Sequence, residues 1–158
     1  MEKKQRQILH VDVNNAFLSW TAIDRLEAGE TLDIRNIEAV IGGDESKRSG
    51  IVLAKSMKAK KKGVTTGETL YQARLKCPNL QVFKGEYYLK HSNDLYKILI
   101  EYTDKIERFS IDECFLDMTG YLIGDTLINK AYEINKRVKN ELGFTVNVGV
   151  AHNKLLAK

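Results

Sequence analysis

Glu107-Arg108-Phe109-Ser110-Ile111-Asp112-Glu113-Cys114-Phe115-Leu116-Asp117-Met118-Thr119 decides how this chain is read. Apolar positions flank a polar bend, so the stretch reads as a hairpin with Asp112 near its turn. A second acidic position closes another apolar run, Ile8-Leu9-His10-Val11-Asp12-Val13, a short strand with a carboxylate at its C-terminal end. Asp12, Asp112 and Glu113 brought to one sheet edge would repel one another unless cations sat between them. That grouping suits two-metal phosphoryl transfer, where Mg²⁺ ions clamp the attacking and leaving oxygens.

The rest of the chain supplies a frame for such an edge. Asn14 or Asn15 is placed to cap a helix through Phe17, Leu18, Trp20, Thr21 and Asp24, which Gly29 ends. Residues 37–41 and 50–54 read as strands joined by a Gly-Gly-Asp-Glu turn. A lysine-rich helix runs to Gly63, a second helix covers 68–77 before Pro78, and Val82 and Phe83 mark a short strand. Leu95, Ile98, Leu99, Tyr102 and Ile106 recur at helical spacing, with Ser92, Asn93 or Asp94 available as cap. Leu127, Ala131, Ile134, Val138 and Leu142 form another amphipathic helix closed by Gly143, and Val146, Val148 and Val150 alternate as a strand. Setting aside about 34–80 leaves strand, helix, helix, hairpin, helix, strand. This approximates an α+β, ferredoxin-like β-α-β-β-α-β core with one extra helix and an inserted small mixed α/β subdomain. The expected division is therefore 1–33 and 81–158 for the core and 34–80 for the insertion.

Composition is that of an ordinary globular chain: 158 residues, 43% hydrophobic and 29% charged. No apolar run approaches the roughly 20 residues that span a bilayer. The polar start Met-Glu-Lys-Lys-Gln-Arg-Gln lacks a hydrophobic signal core, so a cytoplasmic protein with no membrane partner is expected. Cys77 and Cys114 are too few and unpatterned for a disulfide framework or zinc site, and both are expected reduced. The net charge of +4 is modest, but Lys55, Lys58, Lys60, Lys61 and Lys62 crowd together. Beside an acidic metal site, such a cluster fits a polyanionic substrate; by itself it reads better as a solvated helix face.

Four blocks resemble the Y-family lesion-bypass DNA polymerases, in that family's order. Ile8 to Phe17 resembles the opening motif, residues 50–60 the fingers segment, Ser110-Ile111-Asp112-Glu113 the second catalytic motif, and Val148-Gly149-Val150-Ala151-His152-Asn153-Lys154-Leu155-Leu156-Ala157-Lys158 the third palm motif. The resemblance implies a palm on the ferredoxin-like core and fingers in the insertion. It also implies a truncated chain, since family members continue into a thumb and a further DNA-gripping domain. Expected partners are primer-template DNA, deoxynucleoside triphosphates and, through a C-terminal region beyond Lys158, a sliding clamp.

By the same resemblance, Asp12 and Asp112 would share two Mg²⁺ ions, the Val13 carbonyl would add a ligand, and Glu113 would hold the ion that activates the primer 3′-hydroxyl. Phe17 aligns with the steric gate that excludes a ribose 2′-hydroxyl, with a core aromatic on the first helix as the competing reading of that residue. The amides of Asn15, Ala16 and Phe17 would hold triphosphate oxygens. Lys60 stands where the fingers commonly carry an arginine, and Lys154 matches a lysine of the third motif; both would contact triphosphate. Met57 replaces a phosphate-binding tyrosine, with Ser56 as a substitute donor. His10 is expected to be a packed side chain. Gly42-Gly43-Asp44-Glu45 is similar to a cyclic-dinucleotide cyclase signature, but Ser46 follows in place of phenylalanine and the tetrad falls in the insertion, where a turn explains it. The expected function is translesion DNA synthesis, with a non-catalytic nucleotide- or DNA-binding fragment, or a cyclase, as alternatives.

Overall fold

The computed structural model describes residues 5–46, 50–85 and 88–157, apart from the side chains of Lys154 and Leu155. The chain forms two compact units, one of Met1–Asn14 with Leu89–Lys158, the other of Asn15–Tyr88.

The first unit is built on a four-stranded antiparallel sheet. Its strands are β1 (Ile8–Val13), β5 (Ile106–Ser110), β6 (Glu113–Asp117) and β7 (Val146–Ala151), in the order β5-β6-β1-β7. With helices α4 (Tyr88–Leu99) and α5 (Leu127–Leu142), this is the expected ferredoxin-like order, the first strand lying between the second hairpin strand and the last. Side chains alternate across a strand. Leu9, Val11 and Val13 therefore share one face, and all three are buried, as are Cys114, Leu116 and Val146 on the neighbouring strands. Leu95, Ile98 and Leu99 of α4 and Ala131, Ile134 and Val138 of α5 are buried as the helical spacing requires. Gly143 stops α5 at φ 81°, a left-handed conformation that favours glycine.

The opposite face of that sheet carries His10 and Asp12 of β1 and Glu113 and Phe115 of β6. A short helix, α6 (Lys154–Ala157), covers part of it, and Ile8, Phe115 and Ala157 form a small buried cluster there. Two features of the third motif explain this return. The Asn153 side chain accepts from the Leu156 amide at 2.9 Å and so caps α6. Gly149 leaves room for the helix: a Cβ at that position would stand 1.7 Å from the Ala157 carbonyl oxygen. Gly149→Ala should therefore displace α6 and lower stability by about 1–3 kcal/mol. A urea melt with an unchanged midpoint would contradict this packing.

The second unit holds α1 (Ala16–Glu27) and a three-stranded sheet in the order β3-β2-β4, with β2 (Ala39–Gly42), β3 (Val52–Lys55) and β4 (Gln81–Phe83). It also holds α2 (Met57–Lys61) and α3 (Leu70–Lys76). β2 pairs antiparallel with β3 and parallel with β4. Leu18 and Ala22 of α1 are buried against Ile34, Ala39, Ile41 and Ala54. This packing groups α1 with the inserted segment, whereas the sequence reading placed residues 1–33 together in the core.

Two expected helix caps differ. Asn15 precedes α1 but its side chain caps nothing; it adopts φ 47° and its amide donates to the Lys55 carbonyl at 2.7 Å. Asn tolerates that left-handed conformation better than most residues. Ser92, Asn93 and Asp94 lie inside α4, not at its start. Arg108 explains the first two, donating to Ser92 Oγ and to Asn93 Oδ1, each at 2.9 Å, so their polar groups serve contacts to β5.

Candidate active site

The acidic cluster is assembled by strand register. Asp12 lies directly opposite Glu113 across the β1–β6 pair, so the two carboxylates share one face. Like charges in direct cross-strand opposition destabilise a sheet unless something compensates. Asp112 sits in the turn between β5 and β6, and its carbonyl accepts from the Val13 amide at 2.9 Å. That bond ties the hairpin turn to the end of β1, beside the Val13 position expected to contribute a carbonyl ligand.

A bulge in β5 brings in a further residue. Arg108 pairs with Cys114 but Ser110 pairs with Glu113, so Phe109 is the extra residue. Such a bulge re-aims the side chains next to it. The Ser110 hydroxyl stands 2.8 Å from Asp112 Oδ1 and 3.1 Å from Glu113 Oε2. One hydroxyl hydrogen between two carboxylates sets those oxygens within two hydrogen-bond lengths of each other. On the other side of Glu113, His10 Nε2 lies 3.1 Å from Oε1. His10 is only 5% exposed, its ring 4.8 Å from that of Phe115.

Asp12, Asp112 and Glu113 are thus linked by register and by Ser110. Among the described residues, however, no three His, Cys, Asp or Glu side chains close around a point that could hold an ion. The set is open. Hard carboxylate oxygens suit Mg²⁺, which takes one or two carboxylates and completes its shell with waters and phosphate oxygens. The residues present fit that ion.

Ser110 and the role of His10 beside Glu113 went unassigned in the sequence reading. The signal for His10 was present: two residues before Asp12 on a strand, it had to share the Asp12 face. Cys114 points to the other face and takes no part. Burial pushes its thiol up to about 11, which leaves it a small apolar residue.

In the second unit, Phe17 is half-buried and packs against the buried cluster that holds Leu18, Ile34 and Ile41. Its ring stacks on Tyr88 with centroids 4.8 Å apart, and the Tyr88 hydroxyl lies 3.3 Å from that of Thr21. Burial raises the Tyr88 phenol above its ordinary range. Ala16 is buried, leaving its backbone as its polar feature. Ser56 is not the exposed donor imagined in place of the missing tyrosine. It is 1% exposed, and its oxygen accepts from the Ala39 and Ala59 amides, capping α2. Lys58, Lys60 and Lys61 are exposed on α2, while Lys62 pairs with Glu38 at 3.8 Å. Lys154 opens α6, and its side chain lies outside the described residues. The 42–45 tetrad behaves as a turn. Asp44 accepts from the Ser46 amide and hydroxyl, and Glu45 receives both arms of the Arg74 guanidinium.

This architecture is a ferredoxin-like sheet with an acidic cluster where its first strand meets its central hairpin. The impB/mucB/samB family model matches residues 11–158, and the chain belongs to that family. It is 56% identical over 153 residues to DNA polymerase IV of Clostridium acetobutylicum, covering 96% of this chain and 39% of that protein. It is 43% identical to DNA polymerase IV of Acetivibrio thermocellus, covering 98% of this chain and 38% of the relative. The insertion ternary complex of Dbh DNA polymerase superposes with a TM-score of 0.83 at 28% identity, covering 96% of this chain and 44% of that one. DinB from Sulfolobus solfataricus gives 0.80 at 26% identity, covering 95% and 43%. The chain thus spans about 39% of the length of the first of these curated relatives.

Proposed function

We propose that this chain is the palm and fingers portion of a Y-family translesion DNA polymerase, which adds deoxynucleotides to a primer 3′-hydroxyl under template direction. The observation that carries the reading is the opposition of Asp12 and Glu113 on one sheet face, with Asp112 joined to them through Ser110 and Val13. The unit containing β1 and β5 to β7 would be the palm. Residues 34–80 would form the fingers, with α1 packed on them. The relatives bear the name DNA polymerase IV, and one structural neighbour is a polymerase in an insertion ternary complex.

Asp12, Asp112, Glu113 and the Val13 carbonyl would hold two Mg²⁺ ions, which lower the pKa of the primer hydroxyl and neutralise charge growing on the phosphates. The chain's own groups then orient the reactants. Asp12 and Asp112 would set the distance between nucleophile and α-phosphate, and Glu113 would lie on the primer side. The amides of Asn15, Ala16 and Phe17 would receive triphosphate oxygens at the start of α1. Lys60 and Lys154 would add charge along the triphosphate, more loosely than an arginine fork. Phe17 would lie beneath the sugar. Template strand, primer and deoxynucleoside triphosphates are the proposed partners, with a sliding clamp as a further one. The proposed location is the cytoplasm; among the described residues no helix is long and apolar enough to cross a membrane.

Extension of a labelled primer in Mg²⁺, dependent on template and on the complementary deoxynucleotide, is the expected result. Conversion of GTP without template, or no extension by a folded preparation of the protein, would overturn the reading.

A further inference from the structure

We propose that His10 is a positioning residue for Glu113, holding its carboxylate by a hydrogen bond in the orientation from which it would take a divalent ion. The inference rests on the metal-dependent reading of Asp12, Asp112 and Glu113, and adds to it a residue that touches neither substrate nor ion.

Three observations point this way. His10 and Glu113 lie on facing strands and the same face, diagonal neighbours two register positions apart. Nε2 stands 3.1 Å from Oε1, and a carboxylate offers acceptors only, so Nε2 carries the hydrogen. The imidazole is fixed by burial at 5% exposure and by the Phe115 ring 4.8 Å away. It cannot swing aside without opening that packing.

Glutamate needs such support more than aspartate does. It has one more rotatable bond, and here it faces Asp12, whose charge drives it away. Ser110 at 3.1 Å from Oε2 is a partial restraint, because its single hydrogen is shared with Asp112. His10 brings a separate donor to the other oxygen, Oε1. Each carboxylate oxygen accepts more than one partner, so a bond from His10 does not by itself bar Oε1 from a metal. Hydrogen bonds of this kind to metal-holding groups typically alter metal affinity about 10–100-fold.

Packing and positioning predict opposite rankings of two variants. His10→Phe keeps a ring against Phe115 and removes the donor. His10→Gln gives up the ring, but its amide nitrogen reaches about as far as Nε2 and still donates. Mn²⁺ affinity of the protein, read by electron paramagnetic resonance of the free ion, should fall about tenfold or more in H10F and stay near wild type in H10Q. The Mn²⁺ concentration for half-maximal primer extension should shift in the same order, with the KM for nucleotide moving less. Where phenylalanine impairs folding by urea melt, His10→Leu serves as the donorless variant. H10F binding Mn²⁺ as wild type does, or H10Q binding as weakly as H10F, overturns the assignment of His10 alone. Wild-type protein whose Mn²⁺ binding is absent, or indifferent to Asp112→Asn, overturns it together with the metal-site reading.

Discussion

Asp112→Asn is expected to lower template-directed primer extension by a factor of about a thousand or more, with the fold intact. The substitution preserves shape and the backbone bond from the Val13 amide to the residue 112 carbonyl. It removes a full negative charge and one of the hard oxygens that would hold the ions. Metal stabilisation of charge developing in phosphoryl transfer is worth several kcal/mol, and each 1.36 kcal/mol is about tenfold in rate. The melting temperature should hold or rise, because removing one charge relieves repulsion among Asp12, Asp112 and Glu113. That pairing separates a chemical role from a structural one. A turn residue that matters only for folding would lose stability and activity together. Single-turnover extension at the wild-type rate by the folded variant would end the assignment of Asp112.

The alternation of β1, the hairpin and β7 was legible because period two shows directly in residues such as Val146, Val148 and Val150. The helix α5 was legible from a different period, Leu127, Ala131, Ile134, Val138 and Leu142 recurring at three- and four-residue spacing. Less legible was what each element packs against. Amphipathicity gave α1 a buried face, but only the contacts of Leu18 and Ala22 with Ile34 and Ile41 show that the inserted segment covers it. The start of α4 was misplaced because Ser92 and Asn93 look like caps until Arg108, sixteen and fifteen positions away, claims them. Ser56 was read as a donor for phosphate, but it is buried at 1% exposure with its oxygen accepting from the Ala39 and Ala59 amides. In the acidic cluster, residue types and order pointed to the three carboxylates. The Asp12–Glu113 register, the bulge that turns Ser110 inward and the His10 contact depend on which strands become neighbours. One-dimensional patterns carry no direct record of that.

Phe17→Ala is expected to reduce the preference for deoxy- over ribonucleotides by about a hundredfold, the scale on which a shaped pocket discriminates by volume. The ring is suited to such a task because it does not move freely. It stacks on Tyr88 at 4.8 Å and 27°, and Tyr88 is itself steadied by Thr21. A wall that yields gives little exclusion, whereas one backed by a second ring resists displacement. Truncation to alanine leaves space where a 2′-hydroxyl would otherwise collide, so ribonucleotide incorporation should rise more than deoxynucleotide incorporation changes. The competing account is that Phe17 only covers the buried cluster that holds Leu18, Ile34 and Ile41. A large-to-small change there costs about 3–5 kcal/mol when burial is complete, and less for a ring that is half-buried. On that account the variant loses stability while its sugar preference stays where it was. The ratio of kcat/KM for matched deoxy- and ribonucleotides, taken at a temperature where both proteins are folded, distinguishes the two. Phe17→Leu, which keeps apolar bulk at the same position, should fall between wild type and alanine. An alanine variant that still rejects ribonucleotides as wild type does would return Phe17 to the core and leave sugar selection to other residues.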